Sequence, residues 1–331
     1  MNKSNIFLVH TEYHLMIAIN IITTMYSEFE NHIYIQRRGR LNDIDDLGSS
    51  IHIHKMDDNI AYQEILLQMK DKMPNRFFIF QEYACLELFL SYNLSKLGAI
   101  ICLVPDGLKP YVVWHKKHEF FSALKDTFTT YSFLYSQKAV IPKFVLVQNY
   151  KYGRCPFVNE VWLQYKAGYS NKYRKKIVEI REFTAKTLEI INRCFHYDFS
   201  NYVNSDIVVV EQPTKNIDDD IDIVKKIHDK FPHKQMVIKT HPLMSKEHIR
   251  RINELEFVEI IKVVFPVELL LLNLKRAIVI SSHSASFFVK NPNCNYYWIH
   301  RLYSPTKVMS QLTVVNPTEH IVEVDSIDDI K

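Results

Sequence analysis

Residues 206–242 read DIVVVEQPTKNIDDDIDIVKKIHDKFPHKQMVIKTHP, and the fold of the chain can be predicted outward from them. The mostly apolar runs Asp206–Val210 and Gln235–Lys239 each have the length of a short buried strand. Ile217–Lys230, which lies between them, has the length of a helix. Two short strands separated by one helix indicate a parallel β-α-β unit, because parallel neighbours need a crossover connection.

The same alternation continues on both sides of this stretch. It predicts an α/β protein of two Rossmann-like domains that face a central cleft, the first at residues 1–195 and the second at residues 196–331. Residues 114–193 are less regular, and we expect an irregular and helical insertion there, with Asn171–Arg193 as one long helix. The further predicted strands are Ile6–Val9, His32–Gln36, Ser50–His54, Arg76–Phe80, Ala99–Val104, Lys143–Gln148, Val158–Tyr165, Val258–Ile261, Ala277–Ile280 and Tyr296–His300.

Composition restricts the class of protein. The 331 residues include only 6 Gly, and neither G-x-G-x-x-G nor G-x-x-x-x-G-K-[ST] occurs, which argues against a dinucleotide fingerprint and against a P-loop. The net charge of +4 is too small to indicate nucleic-acid binding, so we expect no nucleic-acid partner.

Cysteine usage and hydropathy bear on the compartment. The five Cys lie at wide spacings without a C-x-x-C pair, which is typical of free thiols in a reducing compartment. No signal-peptide pattern precedes the first strand, and no apolar run reaches the roughly 20 residues of a membrane span. We therefore expect a cytoplasmic protein. The aromatic and basic residues 111–118 and 162–176 leave open a peripheral contact with the inner face of the membrane, although ordinary packing is the simpler interpretation.

Polar residues follow the predicted strands at their carboxyl ends, where parallel α/β sheets bind ligands. These candidate residues are His10, Thr11, Glu12, Asp106, Gly107, Gln212, His241, Pro242, Ser281, Ser282 and Ser284. Asp106 has the chemistry of a general base, although Pro105-Asp106-Gly107 is also a strong turn sequence. His241 can donate a hydrogen bond to a phosphate oxygen, and Pro242 fixes the direction of the chain after it.

The serines and Glu268 have a structural interpretation beside the functional one. Ser281, Ser282 and Ser284 precede a predicted helix, so they can cap it, bind an anion, or do both. Glu268 lies in the first turn of another helix, where the dipole stabilises a carboxylate, and it could also accept hydrogen bonds from a ribose diol.

A metal site is not indicated by the sequence. Asp43-Ile-Asp45 matches the letters D-x-D, but it lies in a polar loop and not between apolar strands. His52 and His54 alternate on a strand and could join His10 or His14, but no Cys or carboxylate stands at ligand spacing. We expect no metal and no other cofactor.

In combination, these strand-end motifs resemble those of the bacterial sialyltransferases of glycosyltransferase family 52 and of the related polysialyltransferases, which have the GT-B fold. The matches are Asp106-Gly107, His241-Pro242 and Ser281-Ser282, in the family's order. Leu8–Leu15, Gln212-Pro213 and Pro266-Val-Glu268 are similar to further family segments. The chain departs from the family at Pro105, where an acidic residue is expected.

The resemblance implies a metal-independent, inverting displacement. Asp106 would deprotonate a galactoside-type hydroxyl, which would attack the anomeric carbon of CMP-sialic acid or of a related CMP-sugar acid. His241 would assist the departing phosphate, Ser281 and Ser282 would hold it, and Glu268 would bind the ribose. The acceptor would be an oligosaccharide or glycolipid of a bacterial lipooligosaccharide, O-antigen or capsule. A CMP-Kdo transferase, an isomerase like UDP-N-acetylglucosamine 2-epimerase and a non-catalytic carbohydrate-pathway protein stay open as alternatives.

Overall fold

The computed structural model describes residues 4–36, 41, 44, 47, 50–57, 59–115, 119–149, 151–212, 216–241, 243–261, 265–304 and 312–331. The chain divides into two compact units, Met1–Phe195 and His196–Lys331. We call them unit 1 and unit 2 and describe each by itself.

Unit 1 contains a sheet of seven strands in the order β3-β2-β1-β4-β5-β7-β8, and all of its described pairings are parallel. Its elements are β1 (Ser4–Val9), α1 (Glu12–Met25), β2 (Glu30–Gln36), β3 (Ile51–Met56), α2 (Tyr62–Asp71), β4 (Pro74–Ile79), α3 (Cys85–Lys96), β5 (Ile100–Leu103), β6 (Val112–Trp114), α4 (Glu119–Ser136), β7 (Glu160–Leu163), β8 (Lys176–Glu179) and α5 (Ala185–Phe195).

The central strand of unit 1 shows why this sheet is parallel. All six residues of β1 are buried, which is the pattern of a strand covered by helices on both faces. Helix α1 follows directly and buries nine of its fourteen residues. It is fastened to the segment around α5, because Asn20 Nδ2 donates to the carbonyl of Arg181 over 2.7 Å and the hydroxyls of Thr23 and Thr187 lie 2.8 Å apart.

Two predictions for the middle of the chain were wrong. Asn171–Arg193 is not one helix: its first half contains β8, and α5 begins only at Ala185. Arg174 has a positive φ of 51°, which interrupts a helix, and the ion pair of Lys176 with Glu160 at 2.8 Å joins β8 to β7. Lys143–Gln148 is not a strand, since the backbone amide of Val145 donates to Tyr131 Oη and that of Val147 to Thr127 Oγ1, both on α4.

Unit 2 contains a sheet of six strands in the order β11-β10-β9-β12-β13-β15, again with parallel pairings. Its elements are β9 (Ile207–Val210), α6 (Ile217–Lys230), β10 (Met236–Lys239), α7 (Lys246–Asn253), β11 (Val258–Ile260), α8 (Val267–Asn273), β12 (Ala277–Ser281), β13 (Cys294–Trp298), β14 (Leu312–Val314) and β15 (Ile321–Glu323).

The two sheets have the same strand order around their first strand. Counted within each unit, both begin with the order 3-2-1-4-5, so each has a switch point between its first and fourth strands. The predicted α/β class with two Rossmann-like units is thus confirmed. The candidate residues follow β1, β5, β9, β10 and β12, at the carboxyl edge of each sheet, where parallel α/β folds bind ligands.

Among the described residues, no helix combines the length and the apolar character that a bilayer crossing requires.

Candidate functional site

The start of α1, just beyond the carboxyl end of β1, places the imidazole of His14 beside Asp106. Thr11 is the N-cap of α1, and its hydroxyl accepts a hydrogen bond from the amide of His14 over 3.2 Å. This cap holds His14 in the first turn of the helix. The imidazole is completely buried and stacks on the ring of Phe80 just after β4, with centroids 4.0 Å apart.

His14 and Asp106 form a hydrogen-bonded pair between the ends of β1 and β5. The distance from His14 Nε2 to Asp106 Oδ1 is 3.0 Å. The backbone amide of His10 donates to His14 Nδ1 over 3.3 Å, so Nδ1 is the acceptor nitrogen. Burial lowers the pKa of His14, although Asp106 opposes this, and the acceptor role of Nδ1 also requires a ring without hydrogen on that nitrogen, so both favour the neutral ring. In neutral imidazole only one nitrogen carries hydrogen, so Nε2–H is the group that donates to Asp106.

The second oxygen of Asp106 is held by Gln81, whose Nε2 donates to Oδ2 over 3.0 Å. Burial by itself would raise the pKa of Asp106, but the hydrogen bonds from His14 and Gln81 and the charge of Lys109 outweigh it. The pKa of Asp106 therefore lies below its ordinary value. Because 37% of the side chain stays exposed, this ionised carboxylate is both fixed in direction and accessible to a ligand hydroxyl.

The His14 contact can be tested by replacing His14 with Phe. Phe keeps a flat ring against Phe80 but removes the donor to Asp106, so the pKa of Asp106 should rise. The acidic midpoint of the Asp106 carboxyl, followed by carbon NMR against pH, is expected to move upward. The matched variant His52→Phe changes a half-exposed histidine of β3 and should leave that midpoint in place. An unchanged midpoint in His14→Phe would show that the contact does not stabilise the carboxylate.

The other residues predicted for the acceptor side have structural contacts of their own. His10 Nε2 lies 2.5 Å from Glu87 Oε1 on α3, and Thr11 caps α1. Glu12 occupies the first turn of α1 and is half-buried. Gly107 has a φ of +82°, a left-handed conformation that suits glycine. Pro105-Asp106-Gly107 is therefore a turn, and the same turn positions the Asp106 carboxylate. An acceptor-binding role for these residues stays a prediction.

Unit 1 also contains a buried carboxyl group that the sequence did not reveal. Glu82 is 1% exposed and accepts hydrogen bonds from the amides of Gly153 and Cys155, over 2.9 and 2.8 Å. Burial raises the pKa of Glu82 to about 7, although these two hydrogen bonds and the charges of Lys109 and Lys175 oppose the rise. Its position three residues after β4 is the only sequence signal that could have pointed to it.

In unit 2, His241 follows β10 as expected, and its tautomer is also set by the backbone. The amide of Leu243 donates to His241 Nδ1 over 3.1 Å, so the neutral ring carries its hydrogen on Nε2. Burial lowers the pKa of His241, which favours the neutral form near pH 7. The side chain is therefore suited to donate a hydrogen bond through Nε2, more than to act as an imidazolium acid.

The serines after β12 differ from one another. Ser281 ends the strand and is 1% exposed, and its hydroxyl has no hydrogen-bond partner among the described residues. Ser282 is half-buried. The hydroxyl of Ser284 caps the four-residue 3-10 helix Ala285–Phe288 and lies 2.5 Å from that of Ser286. The expected helix is thus too short to form an anion site, and Ser284 is engaged within the protein.

Three further predicted residues complete the donor side. Gln212 follows the buried Glu211 and is half-buried. Glu268 is also half-buried in the first turn of α8, where Pro266 is the N-cap. Pro242 lies outside the described residues.

One group of three side chains in the described part of the chain could hold a metal ion. Ligand atoms of Glu211, Asp220 and His248 all lie within 4.8 Å of one another, and all three residues are buried. Burial and the nearby Asp220 charge raise the pKa of Glu211 to about 8, so without a cation this carboxyl group is protonated at neutral pH. Among the described residues, His52 and His54 do not form a ligand group with His10 or His14. Instead, they lie beside His32 on β2.

Comparison with known proteins gives only distant likenesses. No protein-family model matches the chain, and no curated protein matches it. Among solved structures, UDP-GlcNAc 2-epimerase from Neisseria meningitidis has a TM-score of 0.47 and 11% identity, covering 85% of this chain and 78% of its own. Lipopolysaccharide ADP-heptose heptosyltransferase II from E. coli has a TM-score of 0.46 and 9% identity, covering 97% and 90%.

A third solved structure is UDP-N-acetylglucosamine 2-epimerase from Rickettsia bellii, with a TM-score of 0.44 and 9% identity over 86% of this chain and 75% of its own. Transferases and epimerases both occur at this level of likeness, so it does not distinguish their activities. The function proposed below therefore rests on the chain's own residues.

Proposed function

We propose that this chain is a metal-independent, inverting glycosyltransferase that moves sialic acid, or a related nonulosonic acid, from a CMP-sugar to a galactoside-type acceptor of a bacterial surface glycan. The observation that carries the proposal is the Asp106 carboxylate, which is ionised, half-exposed and held by His14 and Gln81 beyond the carboxyl ends of β1, β4 and β5. The five free cysteines suit a reducing compartment, and we place the reaction in the cytoplasm.

In the proposed reaction, unit 1 binds the acceptor and Asp106 takes the proton of its reacting hydroxyl. The hydroxyl oxygen forms a bond to the anomeric carbon of the sugar acid as the bond from that carbon to the CMP phosphate breaks. The configuration inverts in this single step, and the electron pair leaves with CMP. The neutral His14 does not take the proton itself; it keeps the carboxylate in position and ionised.

Unit 2 binds the donor in this proposal. His241 Nε2–H donates to the departing phosphate, the buried and unpaired hydroxyl of Ser281 offers a second donor, and Ser282 is a third. Gln212 and Glu268 take the nucleoside, with Glu268 on the ribose diol. CMP leaves with a single phosphate, so neutral donors can stabilise the charge that develops on it without a metal ion.

Replacing His241 with Ala should weaken both CMP binding and turnover. A hydrogen bond to a charged group is worth about 1.5–3 kcal/mol, which corresponds to roughly 10- to 100-fold. Calorimetric titration with CMP measures the loss of affinity, and His233→Ala, an exposed histidine of the same unit, is the matched control. Equal CMP affinity in both variants would remove His241 from the donor site.

The proposal as a whole is tested by thermal unfolding of the full chain with CMP, UMP, UDP or GDP, with EDTA present throughout. A ligand that binds only the folded state adds about 2.7 kcal/mol of stability at a hundredfold excess over its Kd. We expect stabilisation by CMP alone. Stabilisation by UDP and not by CMP would replace the transferase with an epimerase-like function. No stabilisation by any nucleotide would favour a non-catalytic protein.

A further inference from the structure

Helix α4 of unit 1 exposes large apolar side chains along one line. Phe121, Phe128 and Tyr135 are 74, 76 and 80% exposed, and they follow each other at intervals of seven residues, which is about two helical turns. Leu124 is exposed beside them, one turn after Phe121. We call these four residues the aromatic face of α4.

The aromatic face is not the side by which α4 packs onto its own unit. A different side of the helix buries Ala123, Thr127 and Leu134, which are 1–3% exposed. The hydroxyl of Thr127 also accepts from the amide of Val147 over 2.8 Å, which fixes the rotation of the helix. The rings are thus exposed because α4 packs onto unit 1 by another side. Each costs about 1.5–3 kcal/mol relative to a buried one, so a contiguous row of them indicates a binding surface.

The apolar surface continues beyond the helix. Phe144 is 69% exposed, and its ring stacks on that of Tyr131 of α4, with centroids 5.9 Å apart. Val140, in the same connection, is exposed as well. In the two stretches that the sequence offered for a membrane contact, Tyr111 and Trp162 are buried, at 1% and 0% exposed, while Tyr165, Tyr169 and Tyr173 are half-buried. The exposed aromatic surface of α4 therefore lies outside those two stretches, for which a membrane contact stays a prediction.

The charged side chains of residues 120–145, which carry the aromatic face, are mostly positive. They are three exposed lysines and one aspartate: Lys125, Lys138, Lys143 and Asp126. Asp126 is half-buried and accepts a hydrogen bond from Asn149 Nδ2 over 3.3 Å. Exposed lysines beside exposed aromatic rings are the combination that suits the interface of an anionic lipid membrane.

We propose that the aromatic face of α4 docks unit 1 on an anionic lipid membrane. The rings would enter the boundary between headgroups and acyl chains, and the lysines would lie among the lipid phosphates. A second copy of this chain is a less suitable partner than a membrane. A two-fold contact would pair the aromatic face with itself and bring the lysines of both copies together. Lysine is also depleted in protein interfaces. This surface is independent of the proposed reaction, although it would bring a glycolipid acceptor to the protein.

Co-sedimentation of the full chain with vesicles tests the proposal. We expect binding to phosphatidylcholine vesicles that contain phosphatidylglycerol at low salt, release at high salt, and much weaker binding to phosphatidylcholine alone. The double variant F121S/F128S should lower the vesicle affinity by about tenfold or more. Leu67→Ser, which changes a similarly exposed residue on α2, is the matched control and should bind like the wild type. Replacing Lys125 with Gln should lower the affinity by about fivefold.

Two results would overturn the proposal. One is the absence of sedimentation with anionic vesicles at low salt. The other is self-association, seen by light scattering, that the F121S/F128S variant abolishes while vesicle binding is missing; the face would then be a contact between copies. The unfolding temperature of each variant shows that it is folded. Stabilisation by CMP is a separate readout. If CMP does not stabilise the chain but the chain binds vesicles, the proposed function is wrong and the docking surface is still supported.

Discussion

Asp106→Asn is expected to lower the turnover of the transfer reaction by about 10²–10⁴-fold, the usual contribution of a positioned general base. Asn has nearly the same shape and can still accept from His14 through its amide oxygen, so the end of β5 should keep its structure. It cannot take a proton from the acceptor hydroxyl. The measurement is the rate of transfer from a CMP-sugar acid to a galactoside at saturating donor, together with calorimetric titration of CMP.

Two controls separate a chemical role of Asp106 from a structural one. CMP affinity should not change, because the proposed donor residues all belong to unit 2. Asp126→Asn, a half-buried aspartate of α4 that also has an amide partner, should retain full turnover. If Asp106→Asn keeps more than about a tenth of the wild-type rate, the general base of the proposed mechanism is another group.

Much of the fold could be predicted from the sequence because buried parallel strands leave a local signal. Each of β1, β9 and β12 is an apolar run followed by polar residues, and their pairing needs no further information. Strand β8 has no such signal, because Lys176 and Glu179 at its ends are exposed and it lies at the sheet edge. Its pairing depends on Glu160, sixteen residues earlier, and local pattern cannot show that contact.

The residues of the candidate site also differ in how far the sequence could predict them. Asp106 and His241 could be selected because each directly follows a strand. The contact of His14 with Asp106 spans 92 residues, so the sequence, which named His14 only as a possible metal ligand, could not show it. Capping by Ser284 agrees with the structural interpretation of these serines, whereas the sequence did not show that the capped helix is a 3-10 helix of only four residues.

His14 and His241 share a feature that sequence reasoning cannot reach. In both, a nearby backbone amide donates to Nδ1 and leaves Nε2 to carry the hydrogen. The donors stand at different distances along the chain, four residues before His14 and two residues after His241. The backbone geometry of the helix start and of the loop therefore sets the tautomer of both rings. In each neutral ring, Nε2–H is the hydrogen-bond donor. A mechanism that moves one proton, from the acceptor to Asp106, needs neither ring to change its protonation.

The second large effect concerns stability. Glu82→Ala should lower the free energy of unfolding of unit 1 by about 3 kcal/mol or more, because it leaves two buried amides without an acceptor. The amides of Gly153 and Cys155 cannot turn to water instead, since both residues are buried. Glu82→Gln keeps one carbonyl oxygen and should lose less. Urea unfolding at fixed pH measures the difference, and Glu64→Ala, an exposed residue of α2, should stay within about 0.5 kcal/mol of the wild type.

The pH dependence of the same residue provides an independent check with a definite sign. The pKa of Glu82 is raised from 4.5 to about 7, so the folded state holds this proton more tightly than the unfolded chain. The stability it contributes is complete below about pH 4.5 and is lost as the pH rises towards 7. Glu82→Gln, which cannot ionise, should remove this loss, so the stability difference between wild type and variant should shift steadily in favour of the variant across that range. Glu211 titrates in both proteins and cancels in the comparison. A difference that is independent of pH would mean that Glu82 is ionised in the folded protein, held by its two amides despite its burial.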